Sequence, residues 1–130
     1  MRVIIFILLL LPAALSAQVI KNPTESDCLS YMTFVESRGE SVKVVRAVMD
    51  VAYNRMKMRK LTMCQVLKQK GQYPYAKHGV KRISRKFLTK YLEAYNMKPV
   101  LRDDRYIYFN HVKHRWGKGT IKIGNMYFAR

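Results

Sequence analysis

Carboxylates are scarce in this chain. Eight Asp and Glu stand against twenty-five Lys and Arg, a formal net charge of +17. Cysteine is nearly absent: there are two, Cys28 and Cys64, beside three histidines, and their spacing matches no metal-ligand set. No metal and no cofactor is therefore expected. A nucleophile elbow is missing, which argues against a Ser or Cys hydrolase even though His111 and His114 are present. Internal repeats, low-complexity tracts and long linkers are also lacking, and 130 residues favour one small domain. No nucleic-acid-binding motif is evident.

No apolar run reaches the roughly 20 residues that span a bilayer. The longest, Val3 to Leu11, follows Met1-Arg2 and precedes Pro12-Ala13-Ala14-Leu15-Ser16-Ala17. That order of a positive start, an apolar stretch and small residues is the shape of a secretory signal. Residues 1–17 are expected to be a signal peptide, cut after Ser16 or Ala17, or else a retained signal anchor. Residues 18–130 would then be the working domain, secreted or periplasmic. In an oxidising compartment Cys28 and Cys64 are expected to pair, the alternative being two buried thiols. The excess of positive charge implies an anionic partner. Export favours anionic lipid or an acidic envelope polymer, and no nucleic-acid partner is expected.

What is present reads as a mostly helical α+β domain. Thr24-Glu25-Ser26-Asp27 fits a capping box, and the helix it opens ends at Arg38-Gly39. Ser41 suits the cap of a second helix, with an apolar stripe of Val44, Val45, Val48, Met49, Val51, Ala52 and Met56. Thr62 to Gln65 repeats the capping-box pattern and opens a short third helix. There Cys64 is placed to face Cys28. Gly71 to Gly79 reads as a loop containing Pro74. Ser84 suits the cap of a fourth helix through about Tyr95, with Phe87, Leu88, Tyr91, Leu92 and Tyr95 inward. Tyr106 to Asn110 and Ile121 to Phe128 have strand-like content and are expected to form a small ribbon near the C-terminus.

Glu36 is the first candidate for chemistry. It ends an apolar helical segment, just before a glycine turn. Cleaving a glycoside requires a protonated acid at the leaving oxygen. A carboxyl packed against apolar groups keeps its proton because desolvation disfavours the charge. The plainer reading is an ion pair of Glu36 or Glu40 with Arg38, or a helix cap. A second carboxylate is harder to find. Asp103 and Asp104 sit in a charged loop beside Arg102 and Arg105, while Glu25, Asp27, Asp50 and Glu93 read as helix surface or caps. A mechanism with one carboxylate follows, in which the same Glu protonates the leaving oxygen and then deprotonates a hydroxyl of the substrate. Rings beside amides suit sugars, whose apolar faces stack while their hydroxyls hydrogen-bond. Gln72, Tyr73, Tyr75, Tyr108, Asn110 and His111 are the candidates for such a groove. Tyr106 and Phe109 read as core, and Trp116 as either a sugar platform or a cap on the core.

Cys28-Leu29 leading to Val35-Glu36-Ser37-Arg38-Gly39-Glu40-Ser41 resembles the signature of the SleB-like cell-wall hydrolases, a family of spore cortex-lytic enzymes and phage endolysins. Ala47-Val48 and Val51-Ala52-Tyr53-Asn54-Arg55-Met56 look like its second helix with its Asn-Arg pair. Met63 to Leu67, Gly71 to Tyr75, Tyr108 to His111 and Ile123 to Phe128 resemble later segments. Three departures stand out. Ser37 replaces the usual Ala, Val44-Val45 stands where Gly-Gln is usual, and Tyr73 and Tyr75 replace Phe and Trp. The resemblance implies a compact lysozyme-like domain cutting peptidoglycan glycan strands between N-acetylmuramic acid and N-acetylglucosamine as a lytic transglycosylase. It implies Glu36 as the catalytic acid, with Glu40, Arg38 and Asn54 supporting it. The alternatives are a hydrolytic muramidase using Glu36 with Asp103 or Asp104, and a cationic envelope-binding protein without turnover. A monomer is expected.

Overall fold

The run from Val44 to Ala52 contains Val44, Val45, Ala47, Val48, Met49, Val51 and Ala52, all fully buried. A helix that apolar on every side belongs in the middle of a domain. It lies within α2 (Val42–Arg59), the axis around which α1 (Glu25–Ser37), α3 (Met63–Leu67) and α4 (Arg85–Asn96) are arranged. These are the coordinates of a computed structural model that describes residues 18–69, 72–111 and 119–130. The proposed signal in residues 1–17, together with Trp116 and His114, lies outside the described residues. Among the described residues, no helix is long and apolar enough to cross a membrane.

The helix starts follow from short-range chemistry. Thr24 accepts from the Asp27 amide at 3.1 Å, and Asp27 accepts from the Thr24 amide at 2.9 Å. Thr62 and Gln65 form the same reciprocal pair at 3.2 and 2.9 Å. Ser41 and Ser84 cap α2 and α4. Each bond satisfies an amide that the first helical turn leaves without a partner.

Cys28 of α1 and Cys64 of α3 form a disulfide that closes a separation of 36 residues. Beside it, the Glu25 carboxylate accepts from the amides of Met63 and Cys64 at the start of α3. A negative group at a helix N-terminus is favoured by the dipole. Glu25 is therefore a cap, but for a helix other than its own.

Among the described residues, the C-terminal ribbon has three strands rather than two. β1 (Tyr108–Asn110), β2 (Ile121–Ile123) and β3 (Met126–Ala129) form an antiparallel sheet in the order β1-β3-β2. The stretch from Ile121 to Phe128 is not one strand because Gly124-Asn125 folds it into a hairpin, with Ile123 paired to Met126. Gly124 has φ +56°, and a Cβ there would lie 2.6 Å from Val44 Cγ2. Glycine at the first turn position is what a two-residue hairpin of this kind requires. The turn also lies tight against the start of α2.

Two sequence expectations need correction. On α4, Phe87, Tyr91 and Ala94 face the core, whereas Leu88, Leu92 and Tyr95 are 42%, 47% and 50% exposed. Periodicity places all these apolar residues along one side, but α2 covers only part of that side. Asp50 is a core residue, not a surface one. It accepts from Arg46 Nε at 2.8 Å and from the amides of Val100 and Leu101 at 2.7 and 2.9 Å. Its burial is tolerated because both carboxylate oxygens are satisfied.

Candidate functional site

Glu36 lies in the last turn of α1, next to the buried Ser37. The hydroxyl of Thr33 donates to the Leu29 carbonyl, and that of Ser37 donates to Thr33 at 2.7 Å. Both hydroxyls are thus satisfied within the helix. The other side of that turn presents Glu36 to a cavity of about 380 Å3.

Among the described residues, four segments line this cavity. α1 supplies Glu36, α2 supplies Arg55, the loop before a short 3-10 turn (Pro74–His78) supplies Gln72 and Tyr73, and β1 with the residue after it supplies Tyr108, Phe109, Asn110 and His111. Six residues chosen from sequence therefore line one space: Glu36, Gln72, Tyr73, Tyr108, Asn110 and His111. Phe109, expected in the core, lines the cavity with them. It packs on Phe128 with ring centroids 6.3 Å apart. Tyr106 is half-buried against the core, as expected.

Tyr75 stands behind the lining. Its ring meets Tyr31 edge-on at 5.7 Å and Tyr73 at 6.0 Å. The Tyr75 hydroxyl is buried and makes no hydrogen bond of standard geometry. It lies near enough to Glu36 for each to shift the other's titration. Burial, followed by the neighbouring Glu36, raises the Tyr75 phenol well above its usual range. It is therefore an O–H donor throughout the physiological range.

Glu36 has a pKa above its ordinary value of 4.5. Desolvation is the main cause. Tyr75, His111 and Arg55 act in the opposite direction, and burial prevails over them. A carboxyl held above its ordinary range is suited to deliver a proton.

In the sequence Arg55 stands only as half of an Asn-Arg pair, which by itself does not mark it as a site residue. It is 4% exposed. Its Nε donates to the Ile107 carbonyl at 2.6 Å and its Nη1 to the Tyr73 hydroxyl at 2.7 Å. The guanidinium carbon lies 5.3 Å from the Tyr73 ring centroid and 5.9 Å from those of Tyr108 and Phe109. Burial lowers its pKa, but a guanidinium stays charged in a protein. Burial also pushes the Tyr73 phenol up to about 12. The signal available in the sequence was spacing. Arg55 falls three and four residues after Ala52 and Val51, on the buried stripe of α2.

The residues named as supporting lie elsewhere. Asn54 donates from Nδ2 to the carbonyls of Asp103 and Tyr106 at 3.3 and 2.9 Å, clasping the loop before β1. Arg38 is the C-terminal cap of α1, exposed, with its guanidinium 5.3 Å from the Phe34 ring. The Glu40 carboxylate is 3.9 Å from His111 Nδ1 and 3.5 Å from Asn125 Nδ2. It is thus linked to the cavity through His111. Asp103 is paired with Arg105 at 2.7 Å, and its hydrogen bonds there lower its pKa to about 2. Asp104 pairs with Lys57 at 2.8 Å. Neither aspartate lines the Glu36 cavity. Among the described residues, no three His, Cys, Asp or Glu converge to hold a metal ion.

No family model, no curated protein and no solved structure matches the chain.

Proposed function

We propose that the chain cleaves peptidoglycan glycan strands between N-acetylmuramic acid and N-acetylglucosamine, as a lytic transglycosylase with Glu36 as both acid and base. One observation carries this reading. Among the described residues, Glu36 is the only carboxylate lining a cavity whose other described walls are rings, amides, an imidazole and Arg55. The lysozyme-like architecture implied by the sequence resemblance belongs to the same proposal.

Protonated Glu36 gives its proton to the glycosidic oxygen as the bond from that oxygen to C1 of muramic acid breaks. The carboxylate left behind takes the proton of the C6 hydroxyl of the same sugar. O6 then bonds to C1 and closes a 1,6-anhydro ring. Glu36 ends protonated, and no water is consumed. One carboxylate suffices because the nucleophile belongs to the substrate.

Tyr108 offers a ring, and Gln72 and Asn110 offer amides, to the sugars beside the cut bond. Tyr73, 3% exposed and bonded to Arg55, is a buried wall and not the stacking platform expected from sequence. Export through residues 1–17 would bring the domain to the envelope as a monomer, whether as a bacterial enzyme or as a phage endolysin using its own signal. The excess of Lys and Arg would hold it to anionic envelope polymers.

Mass spectrometry of digested peptidoglycan tests the reading, with the Glu36→Gln variant as control. Anhydro-muramic ends from the wild type alone are expected. Products one water heavier would point to a hydrolytic muramidase with Asp103 or Asp104 recruited. Fragments from neither protein would leave a cationic envelope-binding protein without turnover.

A further inference from the structure

Arg55 is a buried cation without a counter-ion. All eight acidic residues of the chain are among the described residues, and none comes within ion-pair distance of its guanidinium. The buried cation of α2 nearer its start, Arg46, is neutralised by Asp50. A buried charge normally needs such a partner. The nearest candidate for Arg55 is Glu36, which burial disposes to be neutral. The cavity is then net positive when the acid is ready to act.

The geometry leaves donors to spare. A guanidinium has five N–H groups in a planar fork. The bonds to Ile107 and Tyr73 use two of them, on Nε and Nη1. Arg55 lines the cavity that Glu36 shares, with Nη2 in none of its hydrogen bonds among the described residues. Arg is the side chain best matched to a carboxylate.

Resting on the transglycosylase reading, we infer that Arg55 binds the lactyl carboxylate of the muramic acid unit being cleaved, so that the enzyme acts on glycan strands from which the stem peptides have been removed. Muramic acid carries its lactyl group on the same ring as the C1 that breaks. A single sugar therefore delivers both the scissile bond to Glu36 and a carboxylate to Arg55. Carboxylates of a stem peptide lie many bonds further out, and an attached peptide converts the lactyl carboxylate into a neutral amide. The bound anion also favours the reaction. It sets negative charge beside Glu36, which disfavours ionisation and keeps the donor protonated.

The reaction class that supplies this substrate is an amidase that cuts between the lactyl group and the first amino acid. The experiment compares three strands of equal length: peptide-free with free lactyl carboxylates, peptide-free with those carboxylates converted to methylamides, and peptide-bearing. Wild type is expected to favour the first over the other two by at least about tenfold in kcat/KM. Arg55→Lys should erase most of that preference, because an ammonium keeps the charge but loses the fork. Binding of the same strands to Glu36→Gln by calorimetry gives the preference without turnover.

Equal cutting of the free and methylamide strands would overturn the lactyl assignment and leave the transglycosylase reading standing. Fastest cutting of peptide-bearing strands would move the carboxylate to the peptide and likewise overturn it. No cutting or binding of any strand would remove both the reading and the inference.

Discussion

Arg55 and Tyr73 are eighteen residues apart in the chain and meet at 2.7 Å, guanidinium Nη1 to phenol oxygen. The same guanidinium holds the Ile107 carbonyl at 2.6 Å. Two walls of the Glu36 cavity, the loop before the 3-10 turn and the entry to β1, are thus attached to one side chain of α2. Tyr73→Phe removes one attachment and leaves a buried N–H facing a ring edge. Leaving a buried donor without an acceptor costs roughly 1–3 kcal/mol. Urea denaturation is expected to show a loss in that range. Activity should fall further than the stability loss explains, since the wall itself shifts.

Glu36→Gln should behave in opposite ways in two assays. Lysis of cell walls is expected to disappear, because Gln has no proton to donate. Thermal stability is expected to rise. The native carboxyl has its pKa above the unfolded value, so the folded state binds more protons and stability falls as pH increases. That loss runs from the unfolded pKa up through the raised native one. Gln removes it, so the variant gains stability over the wild type at pH 8 and that gain vanishes toward pH 3. Melting curves of both proteins across this range are the check. A variant that melts identically at every pH would contradict the burial of this carboxyl.

The Cys28–Cys64 bridge joins α1 to α3 across 36 residues. In the chain-entropy account, closing a loop of that length is worth about 3–4 kcal/mol. Reduction, or the paired change Cys28→Ser with Cys64→Ser, should lower the denaturation midpoint accordingly. Because α1 also carries Glu36, activity should be lost at a lower temperature than in the oxidised protein.

Gly124→Ala places a Cβ against Val44 at a backbone angle that alanine resists. The expected cost is roughly 1–3 kcal/mol. Gly39→Ala serves as the control, because a Cβ there meets nothing within 4 Å. A chemical-denaturation pair should separate the two clearly.

Salt provides a further test. Adhesion of the wild type to an anionic envelope polymer should weaken steeply between low and physiological ionic strength, as exposed charges become screened. Turnover of short soluble strands should depend on salt much less. Adhesion unaffected by salt would mean that the +17 charge does not drive wall attachment.

The four helix starts were legible in the sequence. Thr24, Ser41, Thr62 and Ser84 each cap an amide three residues on, so the needed information sits within one turn of chain. The disulfide was legible as well, from two cysteines and a capping pattern that turns Cys64 toward Cys28. Glu36 stood out because carboxylates are rare here and it ends an apolar segment. Tertiary structure alone decided the rest. Arg55 acquired its place through partners 18 and 52 residues away, and Asn54 was drawn away from the cavity by carbonyls 49 and 52 residues along. Leu88 and Leu92 carry the same periodic signal as Phe87 and Tyr91, yet only the latter pair is covered. A capping bond depends on its immediate neighbours, whereas burial and long-range pairing depend on which distant surface arrives, and local spacing carries no record of that.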